Sequence, residues 1–328
     1  MTTKLLPTID YEAHPLYGGM FKPDARLGEM MRSELEPLVA EAQKVEDDRV
    51  RKFGFRYRWS DAMSEGLAQR AVSTAQLPTR TTDRLQDAAQ PIIDMIQARL
   101  HQTRAAGDPI KFKTATEAIT AKSSPELWNI VDEVVREVGL YEATATVFDA
   151  ASAKLRSVGV MVNHPNQEWA NRLYRDVDVE APPTAGFHID SDNKCFTKIV
   201  LYLSDVDVDQ GPFGIVPGSH RWSEGGRERI YRSAFDRSDL VVRSAKRRRM
   251  FLSLPGEMRV KAEFGGDMIA GSPEADELLA QEQVMTGPRG QMNLFNPDAI
   301  HRGGNVRQGQ RIVLLVSVGP RWELSVGA

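Results

Sequence analysis

Residue types that ligate metals recur at a suggestive spacing in this chain. In Gly186-Phe187-His188-Ile189-Asp190, His188 and Asp190 would project to one side of a strand with Ile189 turned away, because successive strand side chains alternate. Alone, such a pair is more often a half-buried His and Asp sharing a hydrogen bond. A further imidazole, His301, follows Asp190 by 111 positions at the end of a β-like run, and Arg311 stands ten positions beyond it at the start of the next. Two histidines and a carboxylate on a β scaffold form the set that holds non-haem iron(II) and leaves coordination positions open. A chelating oxo-acid can take two of those positions and dioxygen the third, while a buried arginine grips the far carboxylate of the acid in a bidentate pair.

The elements that must position these residues fall into a helical first part and a β-rich remainder. Residues 1 to 23 contain Pro7, Pro15, Gly18, Gly19 and Pro23 and read as an irregular arm. From Asp24, Leu27, Met30, Met31, Leu35, Leu38 and Val39 recur at helical spacing, with Pro37 as a kink or division. A second helix is expected over Thr82 to Ala105, its stripe being Leu85, Ala89, Ile92, Ile93, Ile96 and Leu100. A third starts at Ser123 or Ser124 with Pro125 in its first turn, buries Leu127, Ile130, Val131, Val134 and Val138, and ends at Gly139.

After Gly139 the pattern turns strand-like: Thr144 to Phe148 and Leu155 to Val162 are rich in β-branched residues. Further strands are expected at Phe196 to Leu203, Gly290 to Phe295 and Arg311 to Val318, with the turn Asp205 to Pro212 connecting the first of them to the segment Phe213 to His220. The charged stretch 223 to 289 reads as an insertion. Domain organisation is therefore expected as a mainly helical region, 1 to 140, packed on a β core, 141 to 328.

Other chemistries fit less well. Asp205, Asp207 and Asp209 lack the central glycine and distal glutamate of a calcium loop. The basic and aromatic run 51 to 60 is better read as an alternating strand or loop with a solvated basic face than as a nucleic-acid site, and the cluster Lys246-Arg247-Arg248-Arg249 as a solvated face rather than a site for phosphate or a charged substrate. His220 more simply ties down a turn than binds metal, and Arg302 is expected to meet solvent or a structural partner. The lone cysteine, Cys195, rules out an internal disulfide framework or a cysteine-based zinc site. A formal net charge of -3 gives no drive toward nucleic acid or anionic membrane, and nowhere do 18 uncharged apolar residues run together. The expectation is a soluble cytoplasmic protein with a small-molecule partner, its oligomeric state unread.

His188-x-Asp190, the run from Lys198 to Asp207, the segment Gly211-Pro-Phe-Gly-Ile-Val-Pro-Gly-Ser-His220, and the distal His301 with Arg311 together resemble the phytanoyl-CoA dioxygenase superfamily of iron(II)- and 2-oxoglutarate-dependent oxygenases. The resemblance covers roughly 145 to 322. It implies an α+β protein with a double-stranded β-helix core (a cupin-like jelly roll) and N-terminal helices packed outside. It also implies that His188, Asp190 and His301 ligate iron(II), that Arg311 holds the 2-oxoglutarate carboxylate, and that dioxygen is the co-reactant. Asp190 argues against halogenating members, in which a small residue stands at that place. Lys198 and Tyr202 share strand parity; facing inward they would meet the cosubstrate, facing outward they would be surface. The implied reaction is hydroxylation of an unactivated C–H bond of a small molecule, possible in a biosynthetic setting, with succinate and carbon dioxide as coproducts. Two rivals are a cupin-like metalloenzyme that does not use 2-oxoglutarate, against which Arg311 counts, and a non-catalytic binding protein on the same fold, against which the three intact ligands count.

Overall fold

The computed structural model describes residues 24–53, 62–108, 110, 112–148, 150–165, 187, 190, 197–220, 253 and 280–321. The expected N-terminal arm, His188, Cys195, most of the basic-aromatic run and the Lys246 to Arg249 cluster lie outside them.

Helix α1 spans Ala25–Phe53. Asp24 caps it, its Oδ1 accepting from the Arg26 and Leu27 backbone N–H groups at 2.9 and 3.3 Å. Met31 and Leu35 are fully buried, whereas Met30 faces outward. A short helix α2 (Ala62–Arg70) leads into strand β1 (Val72–Gln76), and α3 (Thr79–Ala105) follows. Buried residues of α3 recur at three- and four-residue steps: Thr82, Leu85, Ala89, Ile93, Ile96 and Leu100. A one-turn α4 (Phe112–Ala115) and strand β2 (Thr116–Ile119) precede α5 (Pro125–Glu137). Ser124 is the N-cap residue of α5 but makes no side-chain cap bond, and Pro125 occupies the first turn.

Of the stretch Thr144 to Phe148, expected as a strand, residues 144–147 are helical and Phe148 is the C-cap. Gly139 takes a left-handed conformation (φ 72°), which breaks α5 and lets the chain restart as α6 (Leu140–Val147). Burying Leu140, Ala143, Thr144 and Val147 on one side needs helical spacing, and this packing demand overrides the β preference of Thr and Val. Thr144 Oγ1 then meets Thr197 Oγ1 at 2.6 Å, tying α6 to the sheet.

The described residues contain nine strands: β3 (Ser152–Asn163), β4 (Thr197–Tyr202), β5 (Phe213–Ile215), β6 (Gln283–Met285), β7 (Gln291–Phe295), β8 (His301–Gly303) and β9 (Arg311–Arg321) follow β1 and β2. All described pairings are antiparallel, in a six-stranded sheet of order β1-β7-β4-β9-β3-β2 and a three-stranded sheet of order β6-β5-β8. Region 1 to 140 thus contributes β1 and β2 as well as helices. Within the charged stretch 223 to 289, Gln283–Met285 is a strand of the small sheet.

Strand parity sorts the two faces of the large sheet. Ile199 and Leu201, Leu314, Val316 and Val318, Val158, Val160 and Val162, and Met292 and Leu294 pack with α2, α3, α5 and α6 in the larger core. Val200 and Tyr202, Val313, Met161 and Phe295 face the other way, against Phe213, Ile215 and Met285 of the small sheet. The result is a double-stranded β-helix with its helices outside, and the inward face of β4 also carries Lys198.

Candidate metal centre

His301 is the first residue of β8, opposite Ile215, and is 4% exposed. Its ring packs against Phe295 and Phe213, with centroids at 4.8 and 6.0 Å. Nδ1 donates to the Ala299 carbonyl at 2.8 Å, which leaves Nε2 as the nitrogen with a lone pair. That Nε2 faces Asp190 Oδ2 across 4.0 Å. A histidine oriented through its far nitrogen, with a buried carboxylate oxygen opposite, suits a divalent cation of the iron type.

Phe187 and Asp190 belong to no strand, so shared strand parity is not what aims Asp190. Its backbone N–H donates to the Pro297 carbonyl at 3.0 Å. Lys198 Nζ, on the inward face of β4, contacts Asp190 Oδ2 at 2.5 Å.

Local hydrogen bonds fix the approach to His301. Asn296 turns the chain, its Oδ1 accepting from Asp298 N at 3.0 Å, and its own N–H donates to the Ala71 carbonyl at 2.8 Å. Ala71 holds a left-handed conformation (φ 65°) unusual for a residue with a Cβ. Ser219 Oγ accepts from Ile300 N at 2.8 Å and donates to Val216 O at 2.7 Å, while Val216 N donates to Ile300 O at 2.8 Å. The Pro217-Gly218-Ser219-His220 turn is therefore a splint for the residue before His301. His220 Nε2 meets the Ala68 carbonyl at 2.7 Å, the structural role expected of it.

Arg311 opens β9 and is 6% exposed. Its Nη1 reaches only the Gly304 carbonyl, at 3.4 Å, its Nε has no hydrogen-bond partner among the described residues, and none of their carboxylates pairs with it. Burial pulls its pKa down to about 10, which still leaves the guanidinium charged at neutral pH. A buried cation in this state calls for an anion. Room for its head comes from β8, where a Cβ added to Gly303 would lie 3.2 Å from Arg311 Nη2. Gly303 and His301 share a strand face, so the guanidinium sits about two residues, roughly 7 Å, along β8 from the imidazole.

Opposite Arg311 in register stands Asn163, 1% exposed, with its Nδ2 unpartnered among the described residues. Asn163 is absent from the site residues expected above, and its signal in the sequence is a single amide closing the apolar run Val160-Met161-Val162. Tyr202 is fully buried and its hydroxyl is engaged by backbone: it donates to Met285 O at 2.6 Å and accepts from Phe213 N at 3.0 Å. Burial pushes its pKa up. The hydroxyl thereby bolts β4 of the large sheet to β5 and β6 of the small one.

Among the described residues no three His, Cys, Asp or Glu side chains form a metal-holding group. Asp190 and His301 are the expected ligands that fall within them. No helix among the described residues is long and apolar enough to cross a membrane.

The family model for phytanoyl-CoA dioxygenase matches residues 71–312, from the residue before β1 to the residue after Arg311. No curated protein matches the sequence. Among solved structures, EctD from S. alaskensis is 12% identical with a TM-score of 0.47, over 84% of this chain and 85% of that one. The non-heme alpha ketoglutarate dependent carbocyclase SnoK from nogalamycin biosynthesis is 12% identical with a TM-score of 0.44, over 80% and 84%. The epimerase SnoN from nogalamycin biosynthesis is 11% identical with a TM-score of 0.41, over 79% and 81%. Likenesses of this depth do not reach the level at which a shared reaction or substrate follows.

Proposed function

Because the chain belongs to the phytanoyl-CoA dioxygenase family of iron(II)- and 2-oxoglutarate-dependent oxygenases, we propose that it hydroxylates an unactivated C–H bond of a small molecule. Dioxygen and 2-oxoglutarate would be consumed and succinate and carbon dioxide released, one oxygen atom entering the new hydroxyl and the other the succinate carboxylate. When bound, iron(II) with its cosubstrate supplies the oxidising power for that step.

The chain's own residues supply position, charge and dryness. His188, Asp190 and His301 are assigned as the iron ligands. The Ala299 carbonyl keeps His301 Nδ1 protonated and its Nε2 directed at the centre. Phe213 and Phe295 wall the imidazole with apolar surface and keep water from it. Arg311 is assigned to the far carboxylate of 2-oxoglutarate, with Gly303 giving it clearance. Lys198 is assigned to the same inward surface, where its ammonium neutralises Asp190. Tyr202 would act on the cosubstrate only through its remaining lone pair and its contribution to the field around Arg311.

The single observation that carries this reading is Arg311: a buried guanidinium with no carboxylate among the described residues, beside the strand that bears His301. The test is anaerobic addition of 2-oxoglutarate to iron(II)-loaded protein, followed by aerobic turnover with candidate substrates. A weak visible charge-transfer band and substrate-dependent decarboxylation are expected. Absence of both sinks the oxygenase reading.

A further inference from the structure

We propose that Arg302 is a positioning residue for the metal centre: it registers the segment that ends in Asp190 against the strand that begins with His301. Arg302 points to the opposite side of β8 from His301 and so cannot itself reach the centre. Its guanidinium makes a bidentate pair with Glu282, Nε to Oε1 at 2.8 Å and Nη2 to Oε2 at 2.6 Å. The same guanidinium lies 4.3 Å from the centroid of the Phe187 ring. All three side chains are withdrawn from solvent, Glu282 at 5% and Arg302 at 17% side-chain exposure and Phe187 at 4% overall.

The surroundings are built for this arrangement. Gly214 stands directly opposite Arg302 in the β5 to β8 register, and a Cβ there would come within 1.9 Å of Glu282 Oε1. The absent side chain is the seat of the carboxylate. An ion pair withdrawn from water costs desolvation that its attraction scarcely exceeds, so its worth lies in the geometry it imposes. Here that geometry is a flat cation fixed on its edge by Glu282, the residue before β6, and offered to an aromatic ring on its face.

What the ring anchors is the ligand segment. Phe187 is held by Arg302, and three residues later Asp190 N is held by the Pro297 carbonyl. Pro297 and Arg302 flank His301. Both ends of the 187–190 stretch are thus referenced to the short segment 297–302 that delivers the distal histidine. Shared docking of this kind sets the separation between Asp190 and His301 through the backbone that carries them.

This inference rests on the metal-centre reading above, and the experiment separates the two. Co(II) and anaerobic Fe(II) affinities are measured for wild type, Arg302→Met, Arg302→Lys and Phe187→Leu, alongside thermal melts and 2-oxoglutarate affinity at saturating metal. Removing an outer partner of a metal site typically weakens metal binding by about 10–100-fold, and that loss is expected in Arg302→Met, with a smaller loss in Phe187→Leu. Arg302→Lys, which keeps a cation over the ring, is expected to recover part of it. The cosubstrate affinity of metal-saturated protein is expected to stay within about threefold of wild type, because Arg311 is not involved. Unchanged metal affinity in both Arg302→Met and Phe187→Leu overturns the proposal. So does a parallel decline of metal affinity, cosubstrate affinity and melting temperature, which marks general loosening. If Arg302→Met does not fold, Phe187→Leu decides by the same criteria. A wild-type protein that binds neither metal overturns the underlying metal-centre reading, and this proposal with it.

Discussion

Lys198 Nζ lies 2.5 Å from Asp190 Oδ2, the same carboxylate oxygen that faces His301 Nε2 across 4.0 Å. One oxygen therefore serves an ammonium and points toward the place a metal would occupy. A cation that enters between Asp190 and His301 through Oδ2 shares that oxygen with the ammonium or displaces the lysine. Removing the competitor in Lys198→Met is expected to tighten Co(II) binding by about fivefold, matching the ~1 kcal/mol upper value for a partly exposed pair. A competition titration checks this, and weaker binding would show that the ammonium supports the carboxylate instead.

Arg311 carries a second expectation, in two opposed directions. Arg311→Leu is expected to lower 2-oxoglutarate affinity by roughly 10–100-fold, the value of a lost charge-assisted hydrogen bond. The same change removes a buried charge that no described carboxylate offsets, so the folded state should gain on the order of 1 kcal/mol. Calorimetry for binding and denaturant melts for stability measure the two arms; a variant that binds the cosubstrate as wild type does would remove Arg311 from its assigned role.

The pH dependence of that stability difference has a definite sign. Burial lowers the Arg311 pKa from its ordinary guanidinium value to about 10 in the folded protein. Between those values the unfolded chain binds more protons than the folded one, so this group's contribution to stability rises with pH. Its penalty is complete below pH 10 and fades above it. The gap between Arg311→Leu and wild type should accordingly be constant from neutral pH to about pH 9 and shrink beyond about pH 10. A gap that widens in alkali contradicts the assignment.

Gly303 makes the room that Arg311 uses. A methyl group there would meet Arg311 Nη2 at 3.2 Å, close enough to move the guanidinium by a few tenths of an ångström. Gly303→Ala is expected to weaken 2-oxoglutarate binding by about fivefold and Gly303→Val by more, a cost of ~1 kcal/mol or above for overpacking, with metal affinity little changed. Equal affinity in the valine variant would mean that the cosubstrate does not depend on this head group.

Tyr202→Phe separates bolting from binding. Its hydroxyl joins Met285 O and Phe213 N, and deleting it leaves two buried backbone groups without that partner. A loss of about 1–3 kcal/mol in unfolding free energy is expected, with little change in cosubstrate affinity. A large affinity loss at unchanged stability would instead place the hydroxyl on the cosubstrate.

Legibility in the sequence followed the length and periodicity of each element. β4 and β9 stand out as long β-branched runs, and parity pairs Lys198 with Tyr202, but only the register of Tyr202 with Val313 puts their face together with that of Arg311. α3 and α5 were visible because their buried residues recur at helical steps. Thr144 to Phe148 misled because Thr and Val prefer strands only where a pleated surface receives them, and here helices do. The short strands β1, β2 and β6 carry three to five residues each, too few for alternation to stand out. At the centre, His301 and Arg311 were readable from type and spacing, whereas the partner of Arg302 was not. Glu282 lies 20 positions away in a charged stretch, and only folding shows that Gly214 makes room for it.

In the six-stranded order, β1 and β2 are the outermost strands, and both come from residues before 141. A fragment beginning at 141 would therefore bare the hydrogen-bonding flanks of β7 and β3. Unpaired flanks of that kind recruit strands from other copies, so such a fragment is expected to aggregate rather than fold as a minimal enzyme. The beginning of the chain acts in this sense as a built-in guard against self-association of the sheet that carries Arg311.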